Sequence, residues 1–289
     1  MSFSALEVKK LRQMTNAPMM ECKKALDESG GDLDAAVKVL RERGIAKMAK
    51  RADRATAEGI VRIQVGEGNR GGTAVVVTCE TDFTANNEQF QSLADTAVAA
   101  AASISGAEVT AEQVLDAECD GKSVKLHLED VANAVRENMG LDRVVRYAGV
   151  SGGYVHFNGK TGVMIEAAVA DDAKAGASEI TAMLKDVAMH VASADPAPLA
   201  VSQDAIDPQT VEDEKAFLIK QAMDSGKPKE IAEKMVEGRM RKFYSERALL
   251  EQAYVKSPDK SVGDYVAETG KGLGTDVSIV RFERMKIGG

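Results

Sequence analysis

The chain of 289 residues carries 45 acidic against 37 basic side chains, a formal net charge of -8, and 44% hydrophobic residues. That length accommodates one large domain or two to three smaller ones with a real core, and the acidic balance argues against a protein that coats duplex nucleic acid. Cys22, Cys79 and Cys119 are odd in number and far apart, with no C-x-x-C, which fits neither a disulfide framework nor a zinc site and indicates a reducing compartment.

The opening MSFSALEVKKLRQ is charged within ten residues and lacks the apolar core of a signal peptide, and no stretch approaches the apolar length of a membrane span. A cytoplasmic chain with no membrane partner is expected. Residues 1–50 punctuate themselves into three short helices. Ser4 caps ALEVKKLRQM, Pro18 opens PMMECKKALDES, and Gly30-Gly31 ends that helix before Asp32 caps LDAAVKVLRERG. Leu6, Leu11, Leu26, Leu33, Val37 and Leu40 are the expected common core of a compact bundle of the kind that docks onto a partner. KMAKRADRATAEG, rich in Lys, Arg and Ala, reads as a linker over 51–58 or a solvated helix.

From Gly59 the period becomes strand-like: GIVRIQV, the glycine-rich GEGNRGG and TAVVVTC predict a β-hairpin. CETDFTANNEQF follows, and then Phe90, Leu93, Ala94, Ala97, Val98 and Ala101 recur at helical spacing. Two more helices are expected between 110 and 139, the second capped by Ser123. YVHFNGKTGVMIEAAVADD repeats strand, turn and strand, and Ile180, Met183, Leu184, Val187, Ala188 and Val191 repeat the helical stripe ninety residues on. These returns predict two related α+β subdomains, 59–141 and 142–200, differing mainly in the strand-to-helix loop. Residues 201–250 read as loop, helix, SGKP and helix, with Gly226 ending one helix and Pro228 opening the next. Phe217, Ala222, Ile231, Met235, Val236, Met240 and Phe243 are the expected seam of an antiparallel helical hairpin that projects toward a partner or a second copy. Residues 251–289 supply a short helix and the strand VSIVRFE, which returns to the second subdomain.

Several strings imitate enzymatic motifs and fail on context. GEGNRG satisfies G-x-G-x-x-G, but a strand follows it where a dinucleotide site needs a helix N-terminus. GKS at 121–123 and GKT at 159–161 lack the first glycine of a phosphate loop, since Asp116 and Tyr154 stand there. His127, His156 and His190 are far apart, without H-E-x-x-H or G-x-S-x-G. No catalytic residue, metal ligand or cofactor is assigned. His156 in a strand and His190 in an apolar helix read as satisfied structural histidines.

The segment around Phe83 is the unusual one. A helix starting at Thr81 would put Phe83 on the Phe90 stripe, but Asn86 and Asn87 would interrupt it. Asn86 and Gln89 have capping-box spacing, which leaves Phe83 on a loop. A loop phenylalanine beside an aspartate is either tucked under its own sheet or presented to a partner, and the residue types alone favour the tucked position. Met19 and Met20 cannot share one helical face, so one belongs to the core and the other faces outward. Arg12 reads as a solvated helix residue.

TDF after a hydrophobic strand, MMECKKAL among N-terminal helices, AMHVAS and SGKPKEIAEKMVEGRM resemble, in order and over nearly the whole chain, the elongation factor Ts family, the guanine nucleotide exchange factors of bacterial translation. The last motif is long enough to be specific by itself. The resemblance implies an α+β fold: an N-terminal three-helix UBA-like bundle, a core of two related α+β subdomains with antiparallel sheets, and an inserted antiparallel helical hairpin. It implies a non-catalytic protein that binds the GTPase elongation factor Tu with GDP, disturbs the magnesium and phosphate site and speeds GDP release, without cofactor and without direct contact to nucleic acid. It carries the wedge over to Asp82 and Phe83, flanked by Thr81 and Thr84. Further partner contacts fall on Arg12, Met19, Met20 and His156, and self-association falls on the hairpin. Where the family commonly reads Lys-Ile-Gly-Glu-Asn this chain reads AVREN, which puts Val135 and Arg136 at partner-facing positions and an arginine in place of glycine. Asn16 and Pro18 stand where the family prefers glycine. Longer members carry a C-terminal helical module whose contacts are expected to be absent here. Two alternatives remain: an adaptor that binds without altering nucleotide release, and an enzyme assembling a histidine with a nucleophile or metal.

Overall fold

A computed structural model describes residues 3–15, 17–224 and 229–288, with the backbone alone described for 229–233. It is a mixed helical and sheet fold divided into two compact units. The first comprises Met1–Gln64, Thr73–Arg146 and Lys286–Gly289; the second comprises Val65–Gly72 and Tyr147–Met285.

The first unit begins with α1 (Ala5–Thr15), α2 (Met19–Glu28) and α3 (Leu33–Ala49). Ser4 caps α1 reciprocally: its hydroxyl accepts from the Glu7 amide at 3.4 Å while the Glu7 carboxylate accepts from the Ser4 amide at 2.5 Å. Asp32 caps α3 by accepting from the Ala35 amide at 2.9 Å. Leu11, Cys22, Ala25, Leu26, Ala36 and Leu40 form the bundle core, with Leu33 and Val37 packed against it. Leu6 is not part of it and is 77% exposed. Five residues before Leu11, it lies on a different helical face.

Helix α3 does not stop at Gly44. It continues to Ala49, and the absence of a side chain at Gly44 admits α7 (Val124–Val135): a Cβ there would lie 2.2 Å from Asn133 Nδ2. The basic stretch beyond is packed as well as solvated. Arg51 is buried and donates from Nη1 to the Ala132 carbonyl at 3.1 Å. Composition could not show this, because the acceptor is the end of a distant helix.

β1 (Glu58–Val65) and β2 (Arg70–Cys79) are joined by the glycine-rich turn, where Gly68 and Asn69 have φ of 63° and 62°. After β2 come a one-turn helix α4 (Asp82–Ala85), α5 (Glu88–Ser103), α6 (Ala111–Asp116), the paired two-residue strands β3 (Glu118–Cys119) and β4 (Lys122–Ser123), then α7 and β5 (Met139–Val155). The whole expected α5 stripe, Phe90 to Ala101, is buried against Val75 and Val77 of β2. Strand order in this unit is β1, β2 and the leading part of β5.

In the second unit the rest of β5 pairs antiparallel with β6 (Thr161–Val169), from Val150 opposite Ala167 to Val155 opposite Gly162. α8 (Ser178–Ser193) buries Ile180, Met183, Leu184, Val187, Ala188 and Val191 completely, against Val163 and Ile165 of β6. α9 (Pro208–Asp224) and α10 (Lys229–Arg247) pack on each other through Leu218, Val236 and Met240, with Phe243 at the margin. Phe217 and Met235, expected in that seam, are exposed, since a step of one residue turns a side chain about 100° round the helix. Gly226 and Pro228, and the side chain of Ile231, lie outside the described residues. The chain ends through β7 (Ala253–Tyr254), β8 (Ser257–Ser261), α11 (Val262–Leu273) and β9 (Val277–Lys286), which lies beside β6. Among the described residues no helix is long and apolar enough to cross a membrane.

His190 is buried in α8, its Nε2 donating to Gln252 Oε1 at 3.0 Å and its Nδ1 accepting from the Val255 amide at 3.2 Å. Both ring nitrogens are used in the neutral form, and burial holds the pKa below the ordinary histidine value despite the Gln252 bond.

Two measurements test this packing. The unfolded chain binds a proton at His190 more readily than the folded one, so stability falls as pH drops below about 6.5 and the His190 contribution is constant above it. Denaturant midpoints from pH 8 to 5 should show that loss in the parent and a smaller loss in His190→Gln. Gly152→Ala, whose new Cβ would stand 2.5 Å from Leu184 Cβ, should lower unfolding free energy by roughly 1–3 kcal/mol. An unchanged denaturant midpoint would show that β5 and α8 are not in close contact there.

Candidate functional site

The segment after β2 is built by two successive caps. The Thr81 hydroxyl accepts from the Thr84 amide at 3.3 Å and opens α4. Asn86 closes it, donating from its backbone and side-chain nitrogens to the Asp82 carbonyl. Asn87, not Asn86, then caps α5 by accepting from the Gln89 amide at 2.8 Å. A single helical turn is thus held between two polar caps, so Phe83 lies in a helix and not in a loop. Thr84 and Ala85 point inward and are buried, whereas Asp82 and Phe83 point outward. Phe83 is 85% exposed, which overturns the tucked arrangement. The space under the sheet is already filled by the buried Phe90 and Leu93.

This turn is fastened to the segment that follows α7. Glu137 takes both donors of Thr81, the hydroxyl at 2.6 Å on Oε1 and the amide at 3.0 Å on Oε2. In return Glu80 Oε1 accepts from the Asn138 amide at 2.6 Å and from Arg54 Nη1 at 3.4 Å. Asn138 Nδ2 donates to the carbonyls of Ala52 and Arg54. The pairs Thr78 with Gly140, Glu80 with Asn138 and Thr81 with Glu137 step antiparallel, one register continued by side chains beyond the ends of β2 and β5.

Arg136 makes the reversal that aims Glu137. It terminates α7 in the left-handed region, φ 65° and ψ 27°, with its amide bonded to the Ala132 carbonyl. An arginine is strained there and glycine is not. Its side chain borders a cleft of about 260 Å³ shared with Pro18 and Glu21 of α2, Lys47 of α3 and Asn133 of α7. Glu21 is ion-paired with Lys47, which holds its carboxyl below the usual range, with Arg136 adding to the effect. The first turn of α2, the end of α7 and the Thr81–Thr84 turn therefore meet in one neighbourhood of the first unit.

Met19 and Met20 are both exposed, 52% and 63%, so neither joins the core. They occupy the first turn of α2, before the buried stripe begins at Cys22. Arg12 is exposed on α1. Val135 is half taken up by the core around Phe90. His156 belongs to the second unit and is the first residue after β5: its amide still donates to the Thr161 carbonyl at 2.8 Å, while its carbonyl accepts from the Gly159 amide and opens the turn. Its Nδ1 is 2.9 Å from the Tyr154 hydroxyl, and its ring is 4.4 Å from that of Phe157, which is 91% exposed. The setting of Phe157 repeats that of Phe83, an exposed aromatic ring among turn-forming neighbours. The sequence alone does not single out Glu137. His127 Nε2 is bonded to the Cys119 carbonyl at 2.9 Å, and GKS and GKT lie at turns where Gly121 and Gly159 have φ of 79° and 71°. Among the described residues no three His, Cys, Asp or Glu side chains are grouped to hold a metal ion.

The backbone at Arg136 gives a test. Arg136→Gly should raise unfolding free energy by about 1 kcal/mol while Arg136→Ala leaves it nearly unchanged, because only glycine relieves the strain. Equal effects of the two substitutions in urea titration would place the energy in the arginine side chain instead.

A family model described as elongation factor TS matches residues 80–289. The elongation factor Ts of Brucella anthropi is 43% identical over 296 residues, covering 100% of this chain and 93% of its own length. That of Clostridium botulinum strain Eklund 17B is 40% identical over 289 residues, covering 99% and 93% respectively. The Caulobacter vibrioides elongation factor Ts is 40% identical over 297 residues, with 99% and 92% covered. Similarity of this extent, running through the turn at Phe83, both units and the paired helices α9 and α10, makes the chain a member of the elongation factor Ts family.

Proposed function

We propose that this chain is a guanine nucleotide exchange factor of translation elongation, acting in the cytoplasm on elongation factor Tu with GDP bound. The observation that carries the reading is the exposed Phe83 beside Asp82 on a turn held rigid by caps and by Glu137. A ring kept in water on an ordered backbone is ready to enter another protein without a folding cost at the moment of binding. Phe83 separates side chains around the nucleotide site, and the Asp82 carboxylate competes for the electrostatic surroundings of the bound magnesium. Met19, Met20 and Arg136 extend the contact from the same neighbourhood, with Arg12 and the exposed part of Val135 at its margin. His156 supplies a second contact from the turn after β5.

Exchange needs no catalytic group. A protein that binds the nucleotide-free GTPase more tightly than the GDP form weakens GDP binding by the same factor, and a coupling of about 1.4 kcal/mol is tenfold. In this reading the three-helix bundle over 1–50 is a UBA-like docking module joined by 51–58 to a core of two related α+β subdomains. The paired helices within 201–250 pair two copies of the chain.

Stopped-flow release of fluorescent GDP from elongation factor Tu tests the proposal. Saturable acceleration is expected, reduced at least about tenfold in Phe83→Ala, the size of an interface hot spot, and reduced in Asp82→Ala most strongly at low free magnesium. Binding without acceleration would make the protein an adaptor, and an undiminished rate with Phe83→Ala would remove the wedge.

A further inference from the structure

The first unit contains a second carboxylate, Glu137, whose bonds are made to the Asp82–Phe83 turn itself. Glu137 lies fifty-six residues from Thr81 and satisfies both of its donors, the hydroxyl at 2.6 Å and the backbone amide at 3.0 Å. Thr81 is the residue whose hydroxyl accepts from Thr84 and whose carbonyl accepts from Ala85, so whatever orients Thr81 orients the helical turn that carries Phe83. Bonds from neutral donors to a carboxylate are stronger than neutral pairs, and two of them to one residue fix a direction as well as a distance. A four-residue helix has no propagated hydrogen-bond ladder to stabilise it, so its geometry depends on external supports.

We propose that Glu137 is a positioning residue for nucleotide exchange: by gripping both donors of Thr81 it holds the Asp82–Phe83 turn in the orientation that enters the GTPase. This rests on the reading of that turn as the inserted element. The left-handed Arg136 is what directs the chain so that Glu137 faces Thr81, and the reciprocal bond from the Asn138 amide to Glu80 keeps the two segments in register. With the brace removed, the exposed ring samples orientations that do not fit, and the productive fraction of encounters falls.

The experiment compares GDP release from elongation factor Tu driven by the full chain and by Glu137→Ala, Glu137→Gln, Phe83→Ala and the Phe83→Ala/Glu137→Ala double variant. Amide hydrogen exchange at Thr84, Ala85 and Asn86 is followed in each free protein. Glu137→Ala should lower exchange efficiency by about ten- to a hundredfold, as expected for losing charge-assisted bonds, and should speed amide exchange at those three residues. Glu137→Gln, matched in shape and retaining one acceptor for the Thr81 hydroxyl, should keep part of the activity and carries the comparison should Glu137→Ala fail to fold. The double variant should lose less than the product of the two single losses, because Glu137 acts through the turn and only its effect on Asp82 remains once the ring is gone.

A full rate with Glu137→Ala beside a lost rate with Phe83→Ala would overturn the inference while leaving the exchange reading intact. So would losses that multiply in the double variant, or a lost rate with unchanged amide protection. An undiminished rate with Phe83→Ala would instead overturn the wedge itself, and the inference with it.

Discussion

Two carboxylates and two backbone amides, placed where the pairing of β2 with β5 stops, decide what the first unit presents. Glu137 accepts from the Thr81 amide and Glu80 accepts from the Asn138 amide, so each segment supplies the acceptor for the other. A strand end normally leaves such amides to water. Here charged acceptors extend the antiparallel register by side chains, and the chain beyond β2 turns into a helix at a fixed angle. The exposure of Phe83 follows from that angle. A flexible loop of the same composition would fold its ring back onto apolar surface.

The brace is anchored in turn by the packing of α3 on α7. Gly44 lets the helices approach until Asn133 fills the space of a side chain, and Arg51 spends a donor on the Ala132 carbonyl at the end of α7. That carbonyl also accepts from the Arg136 amide, so the helix end that launches Glu137 is tied to the bundle. Salt bridges at the surface, such as Lys47 with Glu21, add little by themselves. This one ties the first turn of α2, which carries Met19 and Met20, to α3.

The second unit resolves a similar strand-to-helix connection differently. After β6, Asp171 accepts from the Ala173 amide and Asp172 pairs with Arg70, while Ala175 is buried and its carbonyl accepts from Asn69. The connection is drawn into its own unit and offers no ring. Behind it, Glu166 accepts from the Gly149 amide and pairs with Arg281, which lies 4.2 Å over the Tyr147 ring. Burial there pushes the Tyr147 hydroxyl up to about 12, so it stays neutral throughout the ordinary pH range. Phe157 is exposed in the turn after β5, its ring tilted against that of His156.

Local chemistry made much of this fold legible in the sequence. Ser4, Asp32 and Ser123 were readable as caps because a cap concerns amides two or three residues away, and the stripes of α5 and α8 were readable because helical period alone selects the buried face. The motif order also carried the family. What the sequence could not determine were the features set by distant neighbours. Leu6, Met19 and Met20 are exposed because of how three helices close on one another, and Leu218 replaces Phe217 in the α9–α10 seam because of the helix opposite. The sense of Phe83 was the largest of these. Whether that ring is covered or presented depends on Glu137, fifty-six residues from Thr81 in the chain, and only the folded backbone brings that carboxylate within reach.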